Sequence, residues 1–210
     1  MKILYMDCFL GFSAQMLLSA LVDAGLDTDA LLLHLKEENI NLSAFVHDTE
    51  RVSIACKKIT LLPDNSDKIQ IPSYLSDETN DYSYSDETTP VYIAAVIAAI
   101  KEMEIEYIIT SDISLGEGTD GKVIELMENA GIATMPSDES SDHMQPADAA
   151  FLGFIANECG PRPDMHITAI GYGAGGNDTQ KANIVSAVIG EFNSDIFLES
   201  KDYEELIASL

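Results

Sequence analysis

Basic residues are scarce in this chain. Lys and Arg number 11 against 36 Asp and Glu, which leaves a net charge of −25. Such a field repels phosphate backbones and anionic membrane surfaces, and so argues against nucleic-acid and lipid binding. It attracts cations and basic proteins, or it simply marks a heavily solvated surface. Cysteine is scarce as well. Cys8, Cys56 and Cys159 are far apart and odd in number, forming neither a disulfide framework nor a CxxC zinc pattern. They read as reduced thiols of a cytoplasmic protein. The 4 histidines contain no HxH, HxxxH or HExxH pair, which is poor support for a dedicated metal site. No apolar run reaches the roughly eighteen residues of a transmembrane helix. The start of the chain, with one Lys, Asp7 and then an amphipathic segment, is not a secretory signal. No Ser-His-Asp or Cys-His set stands at recognisable spacing, and no internal repeat is visible.

What is present suffices for a core. With 210 residues, 46% of them hydrophobic, the chain can bury a full core in one domain or two small ones. The run Ile3–Met6 reads as a buried strand. It passes through Asp7-Cys8 and Gly11 to Ser13, an N-cap for an apolar helix ending near Gly25. Strand, polar turn and helix N-terminus together make a common anion or metal corner, although a plain β-turn-α unit has the same pattern. Asp27 caps a second helix, with Leu31, Leu32, Leu33 and Leu35 as its buried face, and His34 reads as a surface or satisfied histidine. Residues 51–61 form a strand with Val52, Ile54 and Cys56 on one face.

From Pro63 to Thr89 acidic residues alternate with Ser, Thr and Tyr, and few aliphatics remain. This stretch reads as a flexible acidic loop that buries too little apolar surface to offset its ordering entropy. Val91–Ile100 is apolar nearly all round, as in a central helix. Tyr107–Thr110 is a core strand, Leu115–Gly118 a turn, Asp120–Asn129 a helix, and Ile132–Thr134 a strand returning beside its predecessor in a βαβ-like unit. Pro146 opens a helix running to Asn157. His166–Ile170 and Ile184–Ile189 are strands paired antiparallel through the glycine-rich connection Gly171–Asp178. The end of the chain, 193–210, is an acidic tail with a helix at Asp202–Ser209. The expected fold is therefore α/β, a mixed β-sheet with flanking helices: a single domain over 1–192 with a long acidic loop at 63–89, followed by the tail.

Three places carry candidate chemistry. The first is the opening turn with Asp7, Cys8 and Ser13; Cys8 follows a core strand and is the cysteine best placed to meet a ligand. The second is the Gly-x-Gly-x-Gly-Gly run of Gly171, Gly173 and Gly175, with Asp178 beyond it. Its glycines let a backbone approach a bound anion. No helix pattern follows them, so it is a weak dinucleotide fingerprint, and a hairpin loop accounts for the glycines nearly as well. The third is the acidic cluster Asp138, Glu139, Asp142 and His143, where carboxylates and an imidazole could meet a divalent ion; a solvated charge run is the plainer account.

Taken together, three stretches resemble one family. Met6-Asp7-Cys8-Phe9, then Gly11 and Ser13, resembles an opening Asp-Cys-Phe-Ser-Gly-x-Ser-Gly-Asp-Met. Ile108 through Leu115-Gly116-Glu117-Gly118 resembles a strand and a Pro-Leu-Gly-Ser-Gly turn. Gly160-Pro161-Arg162-Pro163 through Ile170–Gly175, with Asp178, Asn183 and Ile189-Gly190-Glu191, is the most specific match. This order is similar to the N-terminal region of the LarC family, the nickel-insertion proteins of lactate-racemase maturation. The resemblance implies insertion of nickel into a pyridinium bis-thiocarboxylate mononucleotide in a CTP-dependent step, forming the nickel-pincer cofactor. It places Asp7, Cys8 and Ser13 in a catalytic corner and Gly171, Gly173, Gly175 and Asp178 in a cofactor-binding loop.

The departures from the family pattern lie in its charged positions. The Gly-Asp before Met is Ala14-Gln15 here. A His-Glu-Val-Gly-Ala-Val-Asp-Ser-Ile-Val-Asp motif falls, without gaps, on Tyr82–Tyr92, putting Tyr82, Ser83, Thr88 and Tyr92 at its ionisable positions. The Thr-Pro-Thr-Gly motif becomes Gln145-Pro146-Ala147-Asp148, and the family's C-terminal domain, which carries its nucleotide chemistry, is not in this chain. Aromatic and hydroxyl side chains do not replace the nickel ligands that imidazole and carboxylate supply. The expectation is a truncated, degenerate member without independent chelatase activity, with a protein partner carrying the missing domain. The alternative is a non-catalytic binding module for a basic protein.

Overall fold

The computed structural model describes residues 1–8, 11–63, 89–137, 144–175 and 183–192; the acidic loop beyond Pro63, Asp138, Asp142, His143, Asp178 and the tail lie outside the described residues. Nine strands and five helices are described: β1 (Lys2–Asp7), α1 (Ala14–Asp23), α2 (Thr28–Glu37), β2 (Leu42–Arg51), β3 (Ile54–Pro63), α3 (Thr89–Glu102), β4 (Tyr107–Thr110), β5 (Ile113–Gly116), α4 (Gly121–Asn129), β6 (Thr134–Ser137), α5 (Pro146–Ile155), β7 (Glu158–Cys159), β8 (Met165–Ala174) and β9 (Ile184–Phe192). The fold is α/β with a mixed sheet, as the sequence pattern suggests. Seven strands form one sheet in the order β2-β3-β8-β9-β1-β4-β7, and β5 and β6 pair separately.

Local chemistry explains the helix boundaries. Ser13 caps α1 by accepting from the Met16 N–H at 3.2 Å, and Gly25 after its end takes φ +106°, the left-handed conformation that only glycine adopts without strain. Asp27 caps α2, accepting from the N–H groups of Asp29 and Ala30. In α2 only Leu31 and Leu35, one turn apart, are buried; Leu33 faces solvent, because a helix of 3.6 residues per turn cannot bury four leucines in a run of five. His34 is half-exposed near Glu38. Each helix contributes to one cluster that also includes Leu4 and Met6 of β1, Ile108 of β4 and Ala187 and Ile189 of β9. The main core thus lies on one face of the sheet.

Three expectations are corrected. The expected single strand at 51–61 is two: β2 and β3 form a hairpin, with Arg51 opposite Ile54. The turn, Val52 (φ 47°) and Ser53 (φ 66°), has the geometry usually taken by Asn and Gly. The strand after α4 pairs parallel with β5 rather than with β4. The glycine-rich stretch through Gly173 is no loop, since β8 continues through it, opposite Ala187 at Gly171 and Val185 at Gly173.

Candidate functional site

Five strands point one way. β1 runs parallel to β4, β4 to β7 and β3 to β8, while β9 lies antiparallel between β8 and β1. Their carboxyl ends share one edge, and the N-terminus of α1 opens there directly after β1. Crevices beyond the carboxyl ends of parallel strands are where open α/β sheets bind ligands. Asp7, Cys8 and Ser13 are brought together at this edge.

The turn after β1 is tied to the turn after β4. The Cys8 N–H donates to the Ser111 Oγ at 2.9 Å, and the Ser111 N–H donates to the Met6 carbonyl at 2.9 Å. Gly11 closes the turn by donating to the Cys8 carbonyl at 3.0 Å. Phe12 then drops into the core against Phe151 of α5, with ring centroids 6.3 Å apart. On β7, opposite Thr110 of β4, the Cys159 thiol faces the Asp112 Oδ1 at 3.7 Å and accepts the Ala133 N–H at 3.4 Å. Ser111 and Asp112 were missed in the sequence. Their signal was position, immediately after a strand parallel to β1.

Cys8 does not act as an exposed nucleophile. Its side chain has no solvent access, and burial pushes the thiol up to about 12, with Thr110 hydrogen-bonding against that rise and Asp7 and Cys159 adding to it. A thiol so placed is inert; the group it offers the turn is its backbone N–H. Asp7 is the exposed member of the corner. The Ser13 hydroxyl is engaged in capping α1.

The glycines serve packing. A Cβ on Gly171 would lie 2.1 Å from the Ala20 carbonyl oxygen and 2.3 Å from the Ala24 nitrogen. One on Gly173 would lie 1.9 Å from the Met16 carbonyl oxygen. Gly171 and Gly173 are therefore bare so that the backbone of α1 can rest on this part of β8, and the side of each that faces α1 is taken up by that helix. Gly175, at the end of β8, faces Asn183 and Met16. The Gly175 N–H donates to the Asn183 carbonyl at 3.2 Å, and an Arg51 Nη2 donates to the Gly175 carbonyl at 3.3 Å.

Because β3 touches β8 at a single registered pair, Lys57 opposite Gly173, its further backbone groups need other partners. They find them on α1 and α3. The Ile59 N–H donates to the Ser19 Oγ at 3.1 Å, and the Ile59 carbonyl accepts from the Gln15 Nε2 at 2.9 Å. The Leu61 N–H donates to the Tyr92 hydroxyl at 3.2 Å, and Gln15 also donates to that hydroxyl at 3.1 Å. Gln15 and Tyr92 are thus in contact. They form a neutral hydrogen-bonded stitch along the open edge of β3.

One carboxylate at the α1 N-terminus does come from elsewhere. Asp148, in the first turn of α5, accepts the Ala14 N–H at 2.9 Å and is 5% exposed. Burial raises its carboxyl to about 6, against the hydrogen bond from Ala14 that favours the charged form. Among the described residues no group of three or more His, Cys, Asp and Glu could hold a metal ion, and no helix is long and apolar enough to cross a membrane.

The chain is 27% identical to the pyridinium-3,5-bisthiocarboxylic acid mononucleotide nickel insertion protein of Geobacillus kaustophilus, over 91% of this chain and 60% of that protein. It is 24% identical to the protein of that name in Acetivibrio thermocellus, over 90% of this chain and 60% of the relative. With the one from Staphylococcus epidermidis the identity is 26%, over 98% and 62%. The chain thus spans about 60% of the length of the curated relatives it matches. No solved structure matches. The family model described as nickel insertion protein matches residues 4–89 and 86–207. That match takes in the opening turn, the α3 positions and the glycine strand alike, and the chain belongs to the nickel insertion protein family.

Proposed function

We propose that this chain is a depleted member of the family, acting in or derived from assembly of the nickel-pincer cofactor, with no independent chelatase activity. Nickel would be the substrate of that assembly. A separate chain would supply the nucleotide chemistry that the resemblance assigns to the family's C-terminal domain. The observation that carries the reading is the neutral stitch: Gln15 and Tyr92 hydrogen-bond each other at 3.1 Å and share the β3 backbone. An amide and a phenol held this way offer a divalent cation neither charge nor a free lone-pair set. The buried Cys8 thiol, raised to about 12, would have to lose its proton to serve as a ligand. A second reading, a non-catalytic module for a basic protein, is favoured by the net charge of −25.

Calorimetry with Ni²⁺ at micromolar protein and moderate salt tests the first reading. The expected result is no stoichiometric binding. Tight 1:1 binding that disappears in Asp7→Asn or Cys8→Ala would overturn it.

A further inference from the structure

β2 ends the seven-stranded sheet on one side, and among the described residues no strand lies beyond it. The opposite end is β7, two residues long and followed at once by Gly160-Pro161, a short edge of the kind that resists pairing. β2 lacks such defences. It is ten residues long, contains neither Pro nor Lys, and keeps unbroken register with β3 from Leu42 to Arg51. Its charges, Asp48, Glu50 and Arg51, gather at the far end. Around Phe45 and Val46 the outer backbone N–H and C=O groups form a ready template for a further strand. The side chains there agree. Phe45 is 50% and Val46 39% exposed, and as neighbours in a strand they project to opposite faces of the sheet. A body resting on either face would cover one of them; only an added strand covers both.

We propose that the added strand is β2 of a second copy, laid antiparallel about a two-fold axis at Phe45, so that two sheets join into one. Charge selects this occupant. The chain carries −25 overall, yet the β2–β3 hairpin, 42–63, holds Arg51, Lys57 and Lys58 against only Asp48 and Glu50. Two copies meeting at this weakly positive element bring no acidic patch against another, whereas a basic protein is drawn to the rest of the surface. The register follows from the same reasoning. About Phe45, that ring faces Phe45 of the second copy, Ala44 faces Val46, and Leu42 faces Asp48. An aromatic pair stands at the centre and no like charges stand opposite each other. Glu50 and Arg51 fall outside the paired stretch, and Asp48 keeps the Lys57 ammonium beside it. Centred on Asp48 instead, the strands would set carboxylate against carboxylate. The contact is self-complementary and closed. With only 42–48 of each copy paired it is small, and the dimer is of micromolar strength.

Sedimentation equilibrium of the full chain tests this. The expected result is a monomer–dimer equilibrium at about 10–100 μM protein. It should be several-fold tighter in about 0.5 M NaCl than in about 0.05 M, because salt screens the repulsion between two acidic bodies. Phe45→Lys and Val46→Lys each install the residue that edge strands use against pairing, one on either face, and each should weaken the dimer about tenfold or more. Both sites are exposed, so the urea midpoint should stay at the parental value. Leu62→Lys, on the face of Phe45 but one strand in from the edge, should leave association nearly unchanged. Phe45→Cys should give a disulfide-linked dimer on mild oxidation, since directly opposed residues lie within bridging distance. A monomer at every salt and protein concentration, a dimer that weakens with salt, one that either β2 lysine leaves intact, or one that Leu62→Lys breaks as thoroughly as Phe45→Lys would each overturn the proposal.

Discussion

Substituting alanine for Gly173 decides whether the glycine strand serves the helix above it or a ligand. A Cβ at this position would sit 1.9 Å from the Met16 carbonyl oxygen and 2.4 Å from the Ala20 nitrogen, both backbone atoms of α1. A carbon and an oxygen rest at about 3.2 Å or more, so α1 must retreat by more than about 1 Å; no rotamer change can relieve the overlap. That helix carries Met16, Leu17, Leu18, Ala20 and Leu21, all buried, and moving it opens gaps throughout a close-packed interior. Overpacking of this kind costs about 1–3 kcal/mol where side chains can yield, and here they cannot. A loss of about 3 kcal/mol or more follows, which at a urea slope of roughly 2–3 kcal/mol/M lowers the midpoint by about 1 M or more. Gly121→Ala is the control: nothing lies within 4 Å of a Cβ there, and the residue is the first of α4, so the change should be within about 1 kcal/mol of neutral or mildly stabilising. If Gly173→Ala unfolds within about 0.5 kcal/mol of the parent, the packing account is wrong. Alanine is otherwise no worse than glycine in a strand, so a true loop or ligand glycine without this overlap would show no such loss.

Three further outcomes follow from the corner and the stitch. Asp148, raised to about 6 by burial, binds its proton more tightly folded than unfolded. Its contribution is therefore full below about pH 4 and is lost as pH rises through 6, by up to about 3 kcal/mol. The parent-minus-Asp148→Asn difference in urea midpoint should fall across that window, and a pH-independent difference would contradict this. Tyr92→Phe removes the hydroxyl that serves the Leu61 N–H and Gln15, and should cost about 1–2 kcal/mol in the same assay because it strands buried donors. Cys8, with its thiol near 12, should resist alkylation at pH 8 in the native protein and react at the rate of a free thiol once unfolded, as peptide mapping by mass spectrometry would show.

Much of the scaffold was legible because its signals are local. β1, the Ser13 and Asp27 caps, Gly25 and the strand at Tyr107–Thr110 each announce themselves within a few residues. The β2–β3 turn did not, because Val52 and Ser53 adopt positive φ with none of the residues that usually mark it. Gly171 and Gly173 carry a readable signal that fits two accounts. Spacing of two is a strand period, and small residues on one face of a strand announce a close helix as readily as they announce a ligand. The site was legible only in part. Asp7 and Ser13 are neighbours in sequence, whereas Gln15 meets Tyr92 across 77 positions and Asp148 meets Ala14 across 134. No local pattern encodes such pairs.

Gln15 and Tyr92 look unrelated in the sequence, and the fold joins them through a defect of the sheet. β3 meets β8 at one registered pair, so the Ile59 carbonyl and the N–H groups of Ile59 and Leu61 would otherwise be unpaired beneath α1. Leaving such groups buried and unpaired costs about 1–3 kcal/mol each. A carboxylate at position 15 could accept but not donate, and so could not serve the Ile59 carbonyl; the amide of Gln15 donates to it at 2.9 Å. A phenol at 92 does both jobs, accepting from Leu61 and from Gln15. Gln15 and Tyr92 therefore depend on each other, and introducing a charge by Gln15→Glu should weaken the edge of β3.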